Sequence, residues 1–179
     1  MWRRTKFPIA LAVALRYSRP MTEHVINFSQ TLPLPREEVF AFYCDAANLG
    51  RITPPELEFQ IITSLPIAMH QGSLIEYRLQ LFGVPFHWVT EIREWNPPNS
   101  FVDAQKKGPF REWAHRHTFR ETKGGTSIED EVRYRLPGFP VGEAAFPLMK
   151  KELDRIFTYR QEMVRALLVP SGPNAPKKG

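Results

Sequence analysis

The chain has 179 residues, a mass of 20.8 kDa and 42% apolar residues, which at this length points to one domain with a core that needs no staples. A single cysteine, Cys44, excludes an internal disulfide framework, and no run approaches the ~18 apolar residues of a membrane-spanning helix. The formal charge of +5 does not mark a nucleic-acid surface, because seven basic residues lie in the two tails and segment 21–168 holds 17 basic residues against 19 acidic ones.

Residues 1–20, MWRRTKFPIALAVALRYSRP, carry no acid and a short apolar run from Phe7 to Leu15. That is the outline of a signal or transit peptide. Against it, Ala12-Val13-Ala14 sits inside the apolar run and Arg16 and Arg19 follow at once. Three readings stay open: a natural start at Met21, a targeting or membrane-surface segment, or simple disorder. A cytoplasmic location is expected, with an exported or organelle form kept as the alternative.

His24 to Thr31 alternates with a strand-like period, ended by Pro33 and Pro35. Arg36-Glu37-Glu38 opens a short helix with Val39, Phe40 and Tyr43 on its apolar side, and Asp45 to Ile52 predicts a second short helix. Six strand-like runs follow: Glu56–Thr63, Ser73–Phe82, Pro85–Trp95, Ser100–Lys107, Arg111–Glu121 and Thr126–Leu136. One long amphipathic helix is predicted from about Gly142 to Leu168, with an apolar face through Met149, Leu153, Ile156, Phe157, Met163 and Val164. The Pro/Gly-rich tail 169–179 is expected to be disordered. This α+β order, with seven antiparallel strands and one long helix, has a compact solution in which the sheet curls around the helix and leaves room for a pocket.

Three segments carry a resemblance: LPLPREEVFAFYCDAANLGRITP, GPFREWAHRHTF and GTSIEDEVRYRLP. With them the sequence resembles the START/Bet v 1-like helix-grip (SRPBCC) superfamily, in its bacterial polyketide-cyclase-like and coenzyme-Q-binding-like branch, over about residues 22–168. The resemblance implies a helix-grip domain over 21–168 and a hydrophobic small-molecule ligand such as a lipid, quinone or polyketide. It implies no cofactor and leaves activity open.

Parity places Trp113, His115, His117 and Phe119 on one face of their strand, and Ile128, Asp130, Val132 and Tyr134 on one face of the next. If Thr122–Gly125 forms a hairpin loop, His117 faces Asp130; registers shifted by two would set Asp130 against His115 or Phe119. The pair is either a satisfied buried contact or a general base with its orienting carboxylate. His115, His117 and Asp130 imitate a known iron ligand set, but no metal is expected, since helix-grip proteins do not usually bind one. Tyr77, Phe86, Trp88, Met149, Leu153 and Phe157 are further pocket candidates, with Phe139 at the mouth. The charged residues on the opposite parity read as a solvated ladder, and Cys44 as a small buried hydrophobe. The expectation is a carrier or binding protein for a hydrophobic small molecule. The alternative is a cyclase, aldolase or hydrolase in which Asp130 orients His117. Oligomeric state is not legible.

Overall fold

The structure, a computed structural model, describes residues 22–138 and 140–169. The N-terminal extension, Phe139 and the tail beyond Val169 therefore lie outside the described residues.

Strand β1 (His24–Leu32) buries alternate side chains and stops before Pro33. Pro35 caps helix α1 (Arg36–Cys44), whose first turn carries Glu37 and Glu38 against the positive helix end. Val39, Phe40 and Tyr43 form its buried face. The Asp45 side chain then accepts a hydrogen bond from the Ala47 amide and starts a 3-10 helix over Ala46–Ile52.

The expected strand at Glu56–Thr63 is largely absent. Pro55 opens a second 3-10 turn over Pro55–Leu57, and Glu58 turns left-handed at φ 45°, so only β2 (Gln60–Ile61) reaches the sheet. The remaining strands are β3 (Leu74–Leu81), β4 (Val84–Asn96), β5 (Ser100–Lys107), β6 (Glu112–Thr122) and β7 (Gly125–Arg135). They form one antiparallel sheet in the order β1-β7-β6-β5-β4-β3-β2. Two register shifts between β4 and β5 sharpen its curl.

The β6–β7 register is the one in which His117 faces Asp130, Trp113 faces Tyr134 and Glu121 faces Thr126. Thr122 and Gly125 are themselves paired, so the turn is Lys123-Gly124 and not four residues. Gly125 has φ 118°, and a Cβ there would lie 2.1 Å from the Leu32 carbonyl oxygen. Only glycine lets β1 and β7 approach so closely.

The expected single helix is split. A short α2 (Val141–Ala144) precedes α3 (Phe146–Leu168), because Pro147 has no amide hydrogen to continue the ladder and serves instead in the first turn of α3. The sheet curls around α3. Among the described residues no helix is long and apolar enough to cross a membrane.

Leu153, Ile156, Phe157 and Val164 give α3 its buried stripe. One apolar cluster joins α1, Ile92, Phe101, Phe119, Ile128 and Val164; a second joins Trp88, Phe110, Val132, Tyr134, Leu153 and Phe157. Full burial of each such side chain contributes about 1.5–3 kcal/mol. At the sheet edge, Gln161 Nε2 donates to the Ser29 carbonyl at 3.0 Å and Arg165 to that of Thr31 at 2.7 Å, which seats α3 along β1.

Candidate functional site

Residues from both clusters border an interior hollow with an empty volume of about 1140 Å³, open solvent at its mouth included. The hollow lies between α3, the α1 and 3-10 segment, and the concave faces of β3 to β6. Tyr77, Trp88, Phe101, Phe110, Trp113 and Phe157 supply aromatic wall, and Leu79, Ile92, Leu153 and Ile156 supply aliphatic wall. Phe110 is set in place by Gln105, whose side-chain amide donates to the Phe110 carbonyl at 2.7 Å and accepts from its amide at 3.2 Å.

One part of this wall is charged. Asp103 and His115 are paired across β5 and β6, and His117 and Asp130 across β6 and β7, so the ladders bring all four together. His115 Nε2–H donates to Asp130 Oδ1 at 3.0 Å, and its Nδ1 lies 3.5 Å from Asp103 Oδ2. His117 Nε2–H donates to the same Asp103 oxygen at 3.0 Å. Its Nδ1 is 2.8 Å from Asp130 Oδ1, close enough for ionic attraction but out of line for a hydrogen bond. The two imidazole rings are 3.8 Å apart, and Phe101 stacks on His117 at 4.2 Å.

Burial opposes every charge here, and the partners decide the outcome. Burial would raise the Asp130 carboxyl, but the hydrogen bond from His115 and the close approach of His117 hold it far below the usual range. Asp103 is likewise held low, by His115, His117 and Arg160 against burial. Burial works against a charged His117 too, yet the two carboxylates outweigh it and its pKa is raised. For His115, burial and the neighbouring His117 win and its pKa falls. The two carboxylates therefore favour a proton on His117 over one on His115. The Arg160 guanidinium, 5.1 Å over the Phe157 ring, adds a positive charge at the same wall. Burial also raises the Tyr77 phenol, whose hydroxyl lies 3.1 Å from Thr90 Oγ1, so it stays neutral.

The hollow borders Tyr77, Trp88, Trp113, His115, His117, Leu153 and Phe157 of the residues expected from sequence. Phe86, Phe119, Asp130, Tyr134 and Met149 do not border it. Phe86 packs with Leu57, Leu81 and Ile156, Phe119 with Phe40 and Tyr43, Tyr134 with Phe110 and Trp113, and Met149 against that second cluster. Asp130 stands behind the two histidines with 3% of its side chain exposed. It faces His117 in the strand register, and its hydrogen bond comes diagonally from His115 Nε2. Asp103, Arg160, Tyr43 and Thr90 border the hollow and were not expected. Among the described residues, the buried Trp88 Nε1 and Arg160 Nε are without a hydrogen-bond partner. Asp103, His115 and His117 also have the mutual spacing of metal ligands.

A family model described as "Polyketide cyclase / dehydrase and lipid transport" matches residues 32–159. Comparison with curated proteins gives no match. Among solved structures, the chain is similar to the ZhuI aromatase/cyclase of a Streptomyces species, R1128, at 12% identity and a TM-score of 0.64, over 84% of this chain and 99% of that one. A Thermus thermophilus protein matches at 20% identity and a TM-score of 0.60, over 83% of this chain and 100% of that one. A nucleoside-diphosphate sugar epimerase of Corynebacterium glutamicum matches at 25% identity and a TM-score of 0.59, over 80% of this chain but only 29% of that protein. These likenesses establish the helix-grip fold.

Proposed function

The chain belongs to the family of polyketide cyclases, dehydrases and lipid-transport proteins, and from that premise we propose that it binds or carries one hydrophobic small molecule, a lipid, quinone or polyketide-like aromatic, in the hollow beneath α3. The observation that carries this reading is the wall itself: mostly aromatic and aliphatic, with Asp103, His115 and His117 on β5 and β6 and Arg160 on α3 as its charged part, and Asp45, Asn48 and Thr53 along the 3-10 segment. Apolar burial would supply affinity at roughly 25 cal/mol per Å². Asp103, His117 and Arg160 at the wall would orient the polar end of the ligand.

Native mass spectrometry of freshly purified protein, followed by solvent extraction, tests this reading. A reproducible adduct with an organic-soluble extract is the expected result. A bare mass, together with failure to bind a hydrophobic fluorescent dye that quenches Trp88 and Trp113, would remove it.

One observation favours a second reading. A histidine with a raised pKa beside one with a lowered pKa is an acid–base arrangement. In a cyclase-, aldolase- or hydrolase-type reaction these groups would move a proton at a substrate carbon or water. His117→Ala separates the two: a carrier keeps most of its apolar affinity, whereas an enzyme loses turnover by orders of magnitude.

A further inference from the structure

We infer that Asp103, His115 and His117 form a binding site for one divalent transition-metal ion of the zinc or iron(II) kind, open to the hollow. One ligand atom from each of the three lies within 4.8 Å of the others. Asp103 Oδ2 is 3.0 Å from His117 Nε2 and 3.5 Å from His115 Nδ1. With metal–ligand bonds of about 2.0–2.2 Å, neighbouring ligands sit roughly 3–3.5 Å apart, so these edges already have the required span. Two imidazoles and a carboxylate suit zinc or iron(II) and leave coordination positions free.

The decisive feature is Asp130. Its Oδ1 lies 3.0 Å from His115 Nε2 and 2.8 Å from His117 Nδ1, which are the ring nitrogens turned away from Asp103. A carboxylate on the remote nitrogens is what orients metal-binding imidazoles and sets their tautomers. Asp130 was the carboxylate that sequence parity put beside the histidines; the fold makes it the support and Asp103 the ligand. All four residues stand on adjacent paired strands, so the group is rigid. On binding, the ion takes the place of the proton that His117 Nε2 shares with Asp103, and that proton leaves to solvent. The site needs the hollow but not its hydrophobic occupant, so its failure and that of the carrier reading are separate results.

The test is equilibrium dialysis of the chelator-stripped full chain against Zn(II) or Co(II) alone, with elemental analysis. One ion per chain is expected, with Co(II) giving visible absorption bands. Asp103→Asn and His115→Ala should weaken binding at least ~10-fold and Asp130→Asn by ~10–100-fold, whereas His87→Ala, at the half-exposed Glu76 pair, should change nothing. No stoichiometric ion in the wild type, unchanged binding in Asp103→Asn, or an equal loss in His87→Ala overturns the site. Imidazole ¹⁵N spectra of the wild type need no variant: Zn(II) should move His115 Nδ1 and His117 Nε2. Shifts confined to His24, His70 and His87 overturn it as well.

Discussion

The two carboxylates of the polar group should differ sharply in what they contribute to stability. Asp130 has 3% of its side chain exposed and is the hydrogen-bond acceptor for His115, with the His117 ring at 2.8 Å. In Asp130→Ala both imidazoles lose their inner carboxylate partner. Removing one member of a buried ion pair costs about 3–5 kcal/mol. For a chain of this size 1 kcal/mol moves Tm by about 2–4 °C, so Tm should fall by roughly 6–20 °C. Asp103 keeps 20% of its side chain exposed toward the hollow, where water can replace it, so Asp103→Ala should cost less than about 2 kcal/mol. Thermal melts by circular dichroism at pH 7, with chelator present, measure both. The pH dependence has a definite sign. Both carboxyls are held below their ordinary value, so their stabilisation is complete above about pH 4 and is lost as pH falls through the lower folded values. The gap between wild type and Asp130→Ala should therefore narrow in strong acid. A loss under about 1 kcal/mol, or one smaller than that of Asp103→Ala, would refute the reasoning.

Cys44 has its thiol pushed up to about 12 by burial, so iodoacetamide at pH 8 should label it at least ~100-fold more slowly than an exposed thiol; a rate near that of the free thiol would contradict its placement. Phe119, 1% exposed among Phe40, Tyr43 and Phe101 and away from the hollow, should cost about 3–5 kcal/mol on truncation to Ala while dye binding by the folded variant persists. Weakened dye affinity would mean that the hollow extends to it. Gly125→Ala should cost at least about 1–2 kcal/mol, since the backbone must move off the Leu32 carbonyl, whereas Gly124→Ala, with its nearest neighbour at 4.0 Å, should melt almost as wild type.

The strand alternation placed His115 and His117 inward, and the Gly124-Gly125 turn offered the observed His117–Asp130 register beside two others shifted by two residues. Parity names a face; it does not say whether that face meets a void or another side chain. Phe119, Tyr134, Phe86 and Met149 all point into the molecule and are packed over, a result of where α3 lies along the sheet. Asp103 was illegible for a different reason. On β5 the buried residues Phe101, Val102 and Ala104 occupy both parities, so no alternation marks the inner side. Arg160 hid in the apolar stripe of α3, its long stem lying on Phe157. The Glu56–Thr63 segment looked extended because Leu57, Phe59 and Ile61 alternate, and the local geometry set by Pro54 and Pro55 overrode that pattern.

The seating of α3 on β1 bears on how this sheet behaves in a crowded solution. An open sheet has two borders, and each is a template on which a second copy can add a strand. On one border the Ser29 and Thr31 carbonyls are already taken by Gln161 and Arg165. The other ends in β2, whose two paired residues offer almost nothing to extend. A domain that gives up part of its core to a hollow has less stability to spare against aggregation. Borders blunted at these positions lower the hazard of edge-to-edge pairing that an open sheet carries.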